Sequence, residues 1–385
     1  GQRIVDPVLA RLGHRIAQPR IVDLRGDQRG PAIGRRDRVE QADARVIGRV
    51  KAALLAAIAG FAPTVAHAQL AHWSDAAAAK IETAVDAAPA GSYAVFDADN
   101  TIWRHDLEEA LLPFMEQRGE LSAATLPAEL RPVPLHKGES LYGYYVRLCE
   151  IDDKICYPWI AQVFSGRSLS TLKRDVDALM ASTKPIPVRY QVDGKTVTDT
   201  VSPPHIFPAQ VELIHRLQAK GVRVYVVTAA AEELVRMVVS DPKYGIGITP
   251  RDVIGVTMLL RDPKDGSVTT ARRQIAKGHF LDSEYSAAHH AAMILTPTLW
   301  SPLTWYEGKV AGISAYIDPV KRPLLVAGDS RSDWAMLFRS GDVRLWVNRK
   351  PKDTAALVRL REARAAEDPQ ADKGWIVVTQ DELEK

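Results

Sequence analysis

Two cysteines in 385 residues rule out a disulfide framework as the main source of stability. The fold must therefore rest on a hydrophobic core, and 46% hydrophobic with 25% charged residues is an ordinary composition for one. No apolar run reaches the roughly 20 residues of a membrane span. No internal repeat or low-complexity tract occurs from residue 69 onward, and no methionine precedes Met115. A basic surplus is missing too. Of the formal charge of +3, residues 1–49 contribute +5 and Lys51 +1, which leaves −3 for residues 69–385. Surfaces that bind phosphate backbones are dense in Lys and Arg, so no nucleic-acid partner is expected.

What is present begins with an odd leader. Residues 1–49 hold eleven arginines, no lysine and no sustained apolar period, and are read as an over-extended, non-structural segment. From Val50 the chain runs VKAALLAAIAGFAPTVAHAQ. Lys51 supplies a positive start, Ala52 to Val65 an apolar stretch, and Ala66-His67-Ala68 a small-x-small cleavage pattern. Residues 50–68 are thus expected to be a signal peptide, with a GTG start at Val50 and a mature chain beginning at Gln69. The expected location is periplasmic or secreted, with no integral span after cleavage. In an oxidising compartment Cys149 and Cys156, in CEIDDKIC, could pair across a short loop. Two buried thiols fit the sequence equally well.

Short apolar runs at Tyr93–Asp97, Val222–Val227, Val253–Val256, Leu324–Ala327 and Val343–Val347 read as buried strands. Helical patterns between them, such as Val211–Lys220 and Glu232–Val239, predict an α/β doubly wound parallel sheet. From Ile102 to about Lys184 the pattern turns mainly helical, with apolar positions at three-and-four spacing. Turns at Asp193-Gly194 and Asp265-Gly266 predict hairpins over Val188–Val201 and Thr257–Thr270.

Four pieces carry chemistry, each at the end of a predicted strand or near one. In open α/β sheets such residues converge beyond the carboxyl ends of the strands. The first is DADNT, where Asp97 and Asp99 can face one site, one as nucleophile and one handling the leaving-group proton. Thr228 in VVTAA offers a hydroxyl to a phosphoryl oxygen. Lys309, in WYEGKVAGISAYI, can offset phosphoryl charge. GDSRSD supplies Asp329 and Asp333, enough to complete a Mg²⁺ site whose other ligands are water and substrate. Each piece alone is common; together and in this order they are not.

That order, DxDxT, a strand-end Thr, a Lys and GDxxxD, resembles the haloacid dehalogenase superfamily. The resemblance implies a Rossmann-like core, here 69–106 and 201–385, with a mainly helical cap inserted after the first motif, here 107–200. It implies Asp97 as a nucleophile that becomes an aspartyl-phosphate, Asp99 as general acid then base, and Thr228 and Lys309 as phosphoryl clamps. Mg²⁺, or another divalent ion, would be held by Asp97, the Asp99 carbonyl and Asp329, with Asp333 ordering its shell. Asp at position 99 favours a phosphatase, because an alkoxide leaving group needs a proton.

Within the cap, DADNTIWRHDLEEALLPFMEQRG and GESLYGYYVRLCEIDDKICYPWIAQVFSG resemble bacterial phosphorylcholine phosphatases, a likeness that covers most of residues 93–335. Tyr142, Tyr144, Tyr145, Tyr157 and Trp159 are candidates to hold a quaternary ammonium by cation–π attraction, with Glu139 or Glu150 as the acid. Trp300, Trp305 and Tyr306 form a second candidate wall, and Thr101 belongs to the first motif. Two departures stand out: Thr228 replaces an expected Ser, and GDSRSD is shorter than that subgroup's motif, which leaves the place of Asp333 open. The expected substrate is therefore a small phosphomonoester. A broad-specificity exported acid phosphatase, a phosphotransferase and a catalytically silent choline-binding protein are the alternatives. Oligomeric state is not legible.

Overall fold

The structure is a computed structural model that describes residues 70–192, 194–278 and 288–385. The leader, the signal segment and Asp193 lie outside the described residues. Among the described residues twelve strands follow in order: β1 (Tyr93–Phe96), β2 (Trp103–Arg104), β3 (Ile186–Val192), β4 (Lys195–Val201), β5 (His205–Ile206) and β6 (Arg223–Ala231), then β7 (Val253–Arg261), β8 (Val268–Thr269), β9 (Ile294–Trp300), β10 (Leu325–Gly328), β11 (Val343–Asn348) and β12 (Trp375–Thr379).

The main sheet runs β12-β11-β10-β1-β6-β7-β8, with β9 also paired to β7. From β12 to β7 every pairing is parallel, whereas β8 and β9 join antiparallel. The chain builds outward from β1 to β6 and β7 on one side, then to β10, β11 and β12 on the other. This is a doubly wound α/β fold whose switch point lies at β1, the place where such folds bind ligands. Side chains alternate across a strand, and both faces here are covered. Along β1, Ala94 and Phe96 enter one core while Tyr93 and Val95 enter the other. Helices Asp75–Asp86, Pro208–Ala219 and Glu232–Val239 cover the first face; Glu307–Tyr316, Trp334–Arg339 and Pro351–Ala365 cover the second.

Between β2 and β5, which pair as Trp103↔Ile206 and Arg104↔His205, the chain makes four helices and one hairpin. The helices are Leu107–Gln117, Leu141–Ile151, Asp153–Gln162 and Leu169–Met180. Their apolar faces join the first core without a break. The Gly166 N–H donates to the Leu295 carbonyl at 2.8 Å and the Leu295 N–H to the Arg167 carbonyl at 2.9 Å. Lys173 Nζ, buried on helix Leu169–Met180, pairs with Asp241 at 2.7 Å. Cys149 and Cys156 are disulfide-bonded, with Cα atoms 5.0 Å apart, which resolves the two readings of that pair.

The β3–β4 hairpin forms with Gly194 in the left-handed region at φ +73°. The second hairpin is shorter than the sequence suggests. Leu260 and Arg261 pair with Thr269 and Val268, but Thr257 and Met258 pair with Trp300 and Leu299 of β9. Strand β6 also runs past Thr228 to Ala231, with a register shift between Val227 and Ala231. Among the described residues no helix is long and apolar enough to cross a membrane.

Candidate active site

Asp97 leaves β1 with its N–H on the Ala327 carbonyl at 3.0 Å, so the neighbouring strand fixes where its side chain starts. The chain then turns through Asn100 at φ +59°, a conformation that Asn tolerates better than most residues. The Asn100 amide donates to Asp106 Oδ2 at 2.8 Å, and Asn100 Oδ1 accepts the His105 N–H at 3.1 Å. That turn brings Asp99 to the start of helix Leu107–Gln117. Asp99 Oδ1 accepts the Leu107 N–H at 2.8 Å and the Trp103 indole N–H at 2.7 Å.

Lys309 enters from the second face, on helix Glu307–Tyr316. It is fully buried, and its Nζ lies 2.7 Å from Asp97 Oδ1 and 2.6 Å from Asp333 Oδ1. The other oxygen of Asp333 accepts the backbone N–H of Asp329 at 3.0 Å and of Ser330 at 2.9 Å. A Cβ at Gly328 would come within 2.5 Å of Asp333 Cβ, so glycine is what allows this loop to close on itself. Arg349, just past β11, places Nε 2.8 Å from Asp329 Oδ2.

Carboxylate oxygens of Asp97, Asp329 and Asp333, all buried, lie within 4.8 Å of one another. Burial, with the charge of Asp333, pushes Asp97 up to about 7 against the pull of Lys309. Burial also holds Asp99 and Asp329 well above the usual carboxylate range. Lys309 stays charged: burial opposes this, but Asp333 and Asp97 outweigh it and raise its pKa. Buried carboxyl groups crowded this closely, presenting only oxygens and outnumbering the cations Lys309 and Arg349 beside them, suit a hard divalent cation. Asp329 Oδ2 points the same way, being buried without a hydrogen-bond donor.

The opposite wall comes from the inserted helices. The cavity, of about 100 Å³, is lined there by Asp106, Glu108, Glu109, Tyr145, Tyr157 and Ile160. Glu108 Oε1 accepts the Ala231 N–H at 3.0 Å, and burial still pushes it up to about 8. Glu109 accepts the Tyr142 hydroxyl at 3.0 Å; burial and the nearby Asp106 raise it to about 7.

The structure therefore brings Asp97, Asp99, Thr228, Lys309 and Asp329 to one cavity, with Asp333 bonded directly behind it. Thr228 Oγ1 accepts the Ala230 N–H at 3.1 Å, which leaves its own proton to donate. Among the residues named as substrate candidates in the sequence, Tyr145 lines the cavity. Tyr142 stands behind Glu109. Tyr144 is buried, its hydroxyl on the Val133 carbonyl at 2.6 Å and its ring 5.4 Å from that of Trp159. Trp159 is buried too, its indole N–H on the Leu130 carbonyl at 2.8 Å. Glu139 is held at 2.7 Å by Arg147, beside a different surface cleft. Thr101 is fully buried outside the cavity lining. Of the further candidates, Tyr157 lines the cavity and meets the Trp305 ring edge-on at 6.2 Å, and Tyr306 bonds to Asp153. Glu150 and Trp300 are exposed.

Asp106, Glu108, Glu109 and Arg349 were not singled out from the sequence. Acids in a first helical turn look like ordinary dipole compensation, which hides Glu108 and Glu109. Arg349 carried a usable signal, since it directly follows a buried parallel strand on the ligand-binding edge.

No family model matches the chain. A phosphorylcholine phosphatase of Pseudomonas aeruginosa is 46% identical over 353 residues, which span 88% of this chain and 99% of that protein. A crystal structure of a conserved protein of unknown function from Anaerococcus prevotii superposes with a TM-score of 0.52 at 16% identity, covering 76% of this chain and 90% of that one. The latter likeness concerns the fold alone.

Proposed function

Since the chain belongs to the phosphorylcholine phosphatase family and is a phosphoric monoester hydrolase, we propose that it hydrolyses phosphorylcholine to choline and phosphate through attack of Asp97 on phosphorus. One observation carries the reading: Lys309 bridges Asp97 and Asp333 in a buried acidic pocket whose other wall is Glu108, Glu109, Tyr145 and Tyr157. Phosphoryl chemistry and cation recognition thus face each other across one small cavity.

In the first step an Asp97 oxygen bonds to phosphorus while the bond from phosphorus to the choline oxygen breaks. Asp99 gives its proton to the departing alkoxide. Its raised pKa favours the protonated form, and because both of its hydrogen bonds fall on Oδ1, Oδ2 is left to carry the proton. Asp99 then takes a proton from water as the water oxygen attacks the phosphorus of aspartyl-phosphate, which frees phosphate and restores Asp97. Lys309 and Thr228 offset charge on the phosphoryl oxygens. Asp97, Asp329, Asp333 and the carbonyl of Asp99 would hold Mg²⁺ or another divalent ion, whose positive charge serves the same end. The trimethylammonium group fits against the faces of Tyr145 and Tyr157, with the carboxyl oxygens of Glu108 and Glu109 on the same wall and Glu109, raised only to about 7, the one of the two that more readily carries negative charge.

Export belongs to the same reading. The Lys51 to Ala68 pattern supports it, as does a disulfide, a bond that persists in oxidising compartments. N-terminal sequencing of the exported protein is expected to begin at Gln69.

The deciding experiment measures phosphate release from phosphorylcholine and from p-nitrophenyl phosphate, with and without Mg²⁺, for the wild type and Asp97→Asn. Metal-dependent turnover that prefers phosphorylcholine and vanishes in Asp97→Asn is the expected result. Equal rates on both esters would remove the choline assignment, and a fully active Asp97→Asn would remove the mechanism.

A further inference from the structure

Lys309 and Arg349 are the two cationic side chains among the described residues that line the cavity, and they are held in different ways. Lys309 makes two hydrogen bonds of 2.7 and 2.6 Å. Arg349 makes none with the carboxylate it approaches most closely. Its Nε is 2.8 Å from Asp329 Oδ2, yet the N–H is not aimed there, and both atoms are buried without a hydrogen-bond partner. Its Nη1 lies 3.7 Å from Asp106 Oδ2, beyond hydrogen-bond reach.

Other arginines of the same molecule do align. Arg223 engages both oxygens of Asp252, and Arg216 does so with Glu82. A guanidinium gains most from such a fork-on-fork fit. Arg349 is strung between two carboxylates and fully engages neither, so it neutralises charge at Asp329 without being locked there.

We propose that Arg349 is a displaceable counter-ion, a positioning residue that neutralises Asp329 until a divalent cation binds Asp97, Asp329 and Asp333, and that then pairs with Asp106. The idea rests on the reading of this carboxylate cluster as a metal site. Its consequence runs against the usual expectation for a buried ion pair. The incoming ion meets a resident positive charge, so the protein binds metal more weakly than its carboxylates alone would allow. Asp106 sits at the start of helix Leu107–Gln117, which carries Glu108 and Glu109, so the shift of Arg349 also links the metal to the insertion.

The test titrates Mn²⁺ alone, by calorimetry, into the full protein and into Arg349→Met, Arg349→Gln and Arg349→Lys, with circular dichroism melts to establish folding. Loss of one positive charge a few ångströms from a divalent ion corresponds to at least about a tenfold gain in affinity even with water-like screening. Arg349→Met and Arg349→Gln are therefore expected to bind Mn²⁺ at least about tenfold more tightly, with Arg349→Lys returning to near the wild-type value. Unchanged or weaker binding in a folded Met or Gln variant would overturn the proposal while leaving the metal site standing. If neither the wild type nor any variant binds a divalent ion, the metal reading falls and this inference falls with it.

Discussion

At Gly328 a single hydrogen atom decides whether the acidic loop can form. Gly328→Ala would press a methyl group into Asp333, which is fully buried and already bonded to Lys309 and to two backbone N–H groups. Overpacking of this kind costs about 1–3 kcal/mol. A fall in melting temperature together with at least about a hundredfold loss of kcat is the expected outcome; wild-type kinetics would show that Asp333 does not need its present place. Glu108 offers a separate prediction. Its folded-state pKa of about 8 lies above the ordinary 4.5 because of burial, so the folded protein favours the neutral acid. The stability this contributes is whole below about pH 4.5 and is lost as pH rises through about 8. Glu108→Gln keeps an acceptor for the Ala231 N–H and never ionises. In metal-free protein its melting temperature should decline less steeply from pH 5 to 9 than that of the wild type, with slope remaining from Glu109, Asp97, Asp99 and Asp329, which burial also raises. At this scale the motifs that converge on the cavity were legible because each is a fixed residue type in a fixed order. The acids of the insertion were not, because Glu108 and Glu109 serve a helix start and a cavity wall with the same atoms.

Helices Leu141–Ile151 and Asp153–Gln162 are joined by the disulfide, and each presents one aromatic ring to the cavity, Tyr145 and Tyr157. Closing so short a loop is worth about 2–3 kcal/mol on the chain-entropy account. Replacing both cysteines, Cys149→Ser with Cys156→Ser, is expected to lower the melting temperature. It should also raise KM for phosphorylcholine several-fold while leaving KM for p-nitrophenyl phosphate within about twofold. Equal changes on both esters would mean that the bond supports the fold without setting the cation wall. Strands were legible to within a residue or two at β1, β10 and β11, where short apolar runs are bounded by turn residues. Strand β9 was not, since ILTPTLW carries Pro297 and polar threonines and is stabilised as a strand by pairing with β7. The length of β6 escaped for a related reason: Thr228 looks like a strand end, but the backbone continues through an irregularity that nothing local announces.

Over the whole molecule, the sequence announced a parallel sheet with helices on both sides, because runs buried on both faces lack polar alternation. It did not announce the order of strands, which depends on partners far away in the chain. The buried carboxylates give a global prediction. A ligand that binds only the folded state stabilises it by mass action, and here it also relieves like-charge crowding. Saturating Mg²⁺ is expected to raise the melting temperature by several degrees and excess chelator to return it, with Asp329→Asn losing most of the shift. An equal shift in Asp329→Asn would place the bound ion elsewhere.

Strand β1 leads directly into Asp97, is the first strand among the described residues, and lies in the middle of the sheet. Its Tyr93 bonds to a carbonyl 228 residues later, and Asp97 meets a lysine 212 residues later. Contacts so distant form slowly, since loop closure precedes any return from pairing. During synthesis, then, Asp97 emerges long before Lys309, Asp329 or either neighbouring strand. The nascent chain cannot assemble this cavity until nearly all of it has been made, so export as proposed above would leave the protein little time to consume phosphoesters in the compartment where it is translated.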